Sequence, residues 1–144
     1  MSRQEKYLEA LNREGLFESP GHRTRFKELM DCYSQYPFFN GGLCKCMYLS
    51  AWDEEHFAII LEVLTELALG RERNTEEMRI QGDALAGEHM GGEYHVYQLS
   101  NAFLDNREFV LEEGAALSQE FEHIIGQALK AARVIDQIEC CEQP

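Results

Sequence analysis

The sequence predicts an all-α protein, a single compact bundle of about five to seven helices over residues 1–144. Three observations carry that expectation. The stretch Ser50–Gly70, SAWDEEHFAIILEVLTELALG, repeats Phe57, Ile60, Leu61, Leu64, Leu67 and Ala68 at helical spacing. A second coherent stripe, Leu117, Phe121, Ile124, Ala128, Ala132, Ile135 and Ile138, marks a long element over residues 111–138. The most strand-like run, EYHVYQL from Glu93, has no partner strand elsewhere, and one isolated strand leaves its backbone groups unpaired.

Residues 51–69 are the expected centre. Ile59, Val63 and Leu69 widen the apolar arc well beyond one stripe, as in a helix covered by neighbours. Glu55, Glu62 and Glu66 share the one polar line along it. The helix over residues 111–138 is its natural packing partner, with a frayed tail at about 139–144.

The remaining elements follow from local signals. Ser2-Arg3-Gln4-Glu5 has the form of a capping box, with Tyr7, Leu8 and Leu11 behind it and Gly15 as the stop. Ser19-Pro20 is an N-cap with proline in the first turn, opening a helix that Pro37 ends at or just before Tyr36. Asn40-Gly41-Gly42 reads as a turn or loop, and residues 43–49 as a short helix. Ser50 and Asp53 are the expected cap and first-turn carboxylate of the central helix. Residues 75–89 read as a peripheral helix weakened by Gly82 and Gly87, and residues 93–104 as a helix with Val96, Leu99 and Phe103 on one face.

Charge narrows the function classes. The chain carries 13 basic and 26 acidic residues, a net charge of -13. Residues 1–50 hold seven of the basic and six of the acidic residues, so the excess negative charge all falls after them. That balance excludes a nucleic-acid backbone as direct partner, which needs clustered Lys and Arg, and disfavours anionic lipid. No apolar run approaches the ~20 residues of a membrane span or has the form of a signal peptide. The five cysteines, Cys32, Cys44, Cys46, Cys140 and Cys141, have no framework spacing and read as reduced thiols of a cytoplasmic protein.

Two kinds of site can be built from these residues. The first is a binding surface. His22, Arg23, Arg25 and Lys27 crowd the start of the second helix, where cations oppose the helix dipole and so call for an anionic neighbour. Tyr36, Phe38 and Phe39 flank the Gly-Gly turn as a candidate aromatic contact. The expected activity is therefore non-enzymatic. The chain would contact a basic protein partner or a second copy of itself, with no cofactor. One version is an inhibitor whose carboxylates mimic nucleic-acid phosphates in a partner's groove.

The second is a divalent-metal site. Glu120 and His123 stand three apart in EFEH, the spacing that di-metal helical bundles use twice. His56, Glu62 and Glu66 are the candidates to complete it from the central helix. A magnesium-dependent nucleotide pyrophosphohydrolase would need a further carboxylate face, for which Glu76, Glu77 and Asp83 are available, although the paired Glu-Glu-x-x-Glu and Glu-x-x-Asp pattern is absent. Cys44 and Cys46 lack the usual two-residue spacing of structural zinc ligands. No glycine-rich phosphate loop or serine-nucleophile elbow occurs.

Overall fold

The structure, a computed structural model, describes residues 2–37, 39–68, 92–104, 108–109 and 118–142. Six helices and no strand lie among them. Helix α1 spans Arg3–Arg13 and begins with the expected box. The Ser2 hydroxyl accepts from the Glu5 N–H at 3.2 Å, and the Glu5 carboxylate accepts from the Ser2 N–H at 3.1 Å. Its end is a Schellman turn. Gly15 adopts φ 67°, its N–H reaches the Asn12 carbonyl at 3.1 Å, and the Leu16 N–H reaches the Leu11 carbonyl at 3.0 Å. That geometry turns Leu16 back into the core.

Helix α2 covers Pro20–Tyr33 on its Ser19 cap, ending three residues before Tyr36. Helix α3 covers Gly41–Ser50, so Asn40-Gly41-Gly42 is a helix start rather than a loop. The Asn40 side chain caps it by accepting from the Leu43 N–H at 2.8 Å. Helix α4 covers Glu54–Ala68, later in its start than the residues 51–69 expected. Asp53 is its cap, accepting from the His56 N–H at 2.8 Å, while Ser50 closes α3 instead. Helix α5, Gly92–Leu104, settles the ambiguous EYHVYQL segment as helix.

Helix α6 covers Gln119–Glu142. The expected start at residue 111 lies outside the described residues, as do the segment 75–89 and Phe38. The expected fraying does not begin at residue 139, because the helix continues to Glu142 and Glu139 is anchored to α1. Among the described residues no helix is long and apolar enough to cross a membrane.

The bundle is all-α, as the sequence predicts, but among the described residues its hub is α3 rather than α4. The ten-residue α3 packs against α2, α4, α5 and α6, while α4 lies against α3 and α2. Leu43, Cys44, Cys46, Met47, Tyr48 and Leu49 of α3 are all buried. Each large apolar side chain so enclosed contributes roughly 1.5–3 kcal/mol relative to exposure. On α4, Leu64 is fully buried, whereas Phe57, Ile60 and Leu61 are only partly covered.

Gly42 explains how so short a helix reaches so many neighbours. A Cβ added there would sit 2.4 Å from the Phe103 carbonyl oxygen of α5. Only a residue without a side chain lets the two backbones approach that closely. Gly41, one position earlier, leaves room for the Glu139 carboxyl group, whose carbon would lie 3.4 Å from an added Cβ.

Candidate functional site

The C-terminal end of α3 is finished by side chains of α2. A helix leaves its last carbonyls without intrahelical donors. The His22 Nε2–H donates to the Tyr48 carbonyl at 2.8 Å, the Arg25 Nε–H to the Ala51 carbonyl at 2.7 Å, and Arg25 Nη2 to the Trp52 carbonyl at 2.9 Å. Ser19 caps α2 and sets His22 in its first turn, one turn before Phe26 of the core. One of the cations that oppose the α2 dipole, Arg25, thus has its reason. Its guanidinium serves the other end of a neighbouring helix, where positive groups are favoured.

His22 is fully buried and enclosed by rings: Phe17 at 5.3 Å, Tyr48 at 4.6 Å and Trp52 at 4.9 Å between centroids. Its Nδ1 accepts from the Glu18 N–H at 3.1 Å, which fixes the neutral tautomer with the proton on Nε2. Burial first, and the nearby Arg25 guanidinium second, lower its pKa to about 4 against the raising effects of the Tyr48 carbonyl and Glu18. The Tyr48 hydroxyl donates to the Leu16 carbonyl, and burial pushes its ionisation well up.

Beside this joint lie two carboxylate–histidine pairs. Glu18 accepts from His123 Nε2 of α6 at 2.8 Å, both side chains being about half exposed. Trp52 is partly exposed and meets the His123 ring edge-on at 5.9 Å. Asp53 pairs with His56 Nδ1 at 2.7 Å. Glu54 and Glu55 at the start of α4, and Glu120 and Glu122 at the start of α6, are exposed. Three chain segments thus meet at Trp52: the linker before α2, the turn before α4 and the start of α6.

The other end of α3 is held ionically. Glu139 accepts from Arg3 Nη2 at 2.7 Å and from the Tyr7 hydroxyl, and it stands beside Gly41 in the first turn of α3. Burial opposes ionisation of Glu139, but hydrogen bonds from Tyr7 and Arg3 outweigh it and the net shift is downward. Arg3 also lies 4.8 Å over the Phe39 ring. Lys45 reaches Asp136 at 2.7 Å on the same side.

The candidate residues of the sequence separate accordingly. Arg25 and Phe39 are parts of the frame: the first caps α3, and the second is buried beneath Arg3. Arg23 and Tyr36 remain exposed, with Tyr36 against Tyr33 at 6.0 Å. His56 and His123 are engaged with Asp53 and Glu18, and Glu120 is exposed. Glu62 and Glu66 belong to α4, but their side chains lie outside the described residues. Among the described residues no group of three or more His, Cys, Asp or Glu side chains gathers to hold a metal ion.

The Cys-x-Cys pair is core. Cys44 and Cys46 are buried free thiols; Cys46 donates to the Ser100 carbonyl at 3.1 Å and burial pushes its pKa up to about 12. Cys44 is pushed up further by the same cause. Neither is poised as a nucleophile.

Sequence reasoning missed the joint itself. The signal was present in Ser19-Pro20, which places His22 and Arg25 on successive turns of one helix, but their targets are carbonyls, which carry no sequence signature. No family model, curated protein or solved structure matches this chain. The functional reading therefore rests on the residues alone.

Proposed function

We propose that this protein acts by binding a basic protein partner through the acidic surface around Trp52. The observation that carries this reading is the meeting of Glu18, Asp53 and His123 at a partly exposed tryptophan, with Glu54, Glu120 and Glu122 exposed on the adjoining first turns of α4 and α6. Carboxylates steer and orient a cationic partner, and an indole face takes up Lys or Arg by cation–π contact. The net charge of -13 extends the same preference over longer range. A nucleic-acid-binding protein whose groove accepts carboxylates in place of phosphates is the finer form of this proposal.

An oligo-arginine peptide, titrated while the emission of Trp52 is followed, tests it. Binding should perturb the emission and weaken steeply as salt rises from low ionic strength to physiological values. Neutralising Glu54, Glu120 and Glu122 together to Gln should reduce both affinity and salt slope. Association that ignores ionic strength, or leaves the Trp52 emission unchanged, would remove the proposal.

A further inference from the structure

We infer that His22 is an acid-sensitive latch: its protonation frees the Phe17–Ser19 linker from the end of α3 and alters the surroundings of Trp52. The geometry allows only a neutral ring. Nε2 carries the proton given to the Tyr48 carbonyl, and Nδ1 must keep a lone pair for the Glu18 N–H. A proton on Nδ1 turns that acceptor into a donor facing a donor. The Nε2 bond survives protonation, so the contact to α3 persists while the contact to the linker is lost.

Each element around the ring affects the charge that would form there. Arg25, on the same helix, opposes it, and Glu18 on the linker favours it. From α3 comes the Tyr48 carbonyl, and its phenol stays neutral because burial raises its ionisation. The turn before α4 contributes the Trp52 indole, and behind it His123 of α6 is bonded to Glu18. Arg25 and the three aromatic rings leave no water to solvate an imidazolium in place. The linker must move instead.

Linkage bounds the drive. A pKa of 6.5 in the opened form and about 4 in the closed one raises the opened population by on the order of a hundredfold between those pH values. The latch is a property of the isolated chain and needs no partner.

Trp52 is the chain's single tryptophan and stands 4.9 Å from His22, so it reports the event directly. The experiment follows its emission and the far-ultraviolet helical signal from pH 7.5 down to 4. A reversible emission change with the helical signal retained is expected in the native chain and in His123→Gln. It should be absent in His22→Gln, whose amide still donates to the Tyr48 carbonyl without titrating. An unchanged emission transition in His22→Gln would overturn the latch. Exchange of the Glu18 amide, corrected for its intrinsic pH dependence, decides the matter without any variant. Its protection should fall toward pH 4, and constant protection would equally overturn the inference.

Discussion

The two ends of α3 are secured by opposite means. At its start stands a carboxylate, Glu139, held by Arg3 and Tyr7 from α1. At its finish stand a guanidinium and a neutral imidazole, Arg25 and His22 from α2. Both arrangements agree with the helix dipole, which favours negative charge at the first turn and positive charge at the last. They differ in wetness. Glu139 and Arg3 keep about a quarter and two-fifths of their side-chain surface in water, whereas His22 keeps none. The wet clasp is forgiving, because water replaces a lost partner. The dry joint is not, because an unpaired buried group keeps its full desolvation penalty.

The sharpest way to break the comparison is to push α3 off its neighbours altogether. Gly42→Ala forces a Cβ to within 2.4 Å of the Phe103 carbonyl, a backbone atom that moves only if α5 moves. The expected loss is about 3 kcal/mol, at the upper end for overpacking. Denaturant unfolding should show it as a lower midpoint with little change in slope. Gly126, whose added Cβ would meet nothing within 4 Å, is the control: Gly126→Ala in the middle of α6 should stabilise by about 0.5–1 kcal/mol.

Acid separates the two ends by window. His22 binds its proton less readily folded than unfolded, so its contribution is complete above pH 6.5 and is lost as pH falls toward about 4. The loss amounts to about 3 kcal/mol at most, from 1.36 kcal/mol per unit. Glu139 is also lowered, from 4.5, so its contribution is complete above that value and is lost below it. Stability measured against pH should therefore decline in two stages. His22→Gln should flatten the stage between 6.5 and about 4, and Glu139→Gln should reduce only the stage below 4.5. A single acid limb that neither variant alters would remove the distinction.

Arg25→Ala tests the dry end without titration. It strips two hydrogen bonds from the Ala51 and Trp52 carbonyls and leaves both without those donors. A loss of about 2 kcal/mol is expected, within the range for bonds to a charged donor. Thermal unfolding should register it as a drop of several degrees for a chain of this length. Arg25→Lys should recover less than half, because an ammonium cannot span two carbonyls with the fixed fork of a guanidinium.

Much of this frame was legible in the residues. Ser2 with Glu5, Ser19 with Pro20, and Gly15 each encode a helix boundary through one or two local bonds, and the structure places all three where the pattern implies. The hub was not legible, for a physical reason. Apolar periodicity rewards length, and α4 offers fifteen residues of it against ten in α3. What makes α3 central is the absence of side chains at Gly41 and Gly42, and a paired glycine reads locally as a turn. Arg25 and His22 were visible as an unexplained cluster of cations. Their partners are backbone carbonyls of another helix, so only the assembled fold could account for them. For the proposed binding surface, the charge split was plain in the sequence, but the meeting of residues 18, 52 and 123 depends on tertiary packing.

The smallest expected effect marks the forgiving limit of the wet end. Lys45 is mostly buried, yet its partner Asp136 is 65% exposed, and the pair spans α3 and α6 at 2.7 Å. Removing the carboxylate with Asp136→Asn does not strand the ammonium, because Lys45 also lies 5.8 Å from the Phe103 ring and acts favourably on Glu139. The expected loss is about 0.5 kcal/mol or less, as for exposed ion pairs, and should shrink further at high salt. A double-mutant cycle with Lys45→Met measures the coupling without the cost of either truncation. A coupling energy of about 2 kcal/mol or more would show that this pair behaves like the dry joint, and the contrast between the two ends of α3 would then fail.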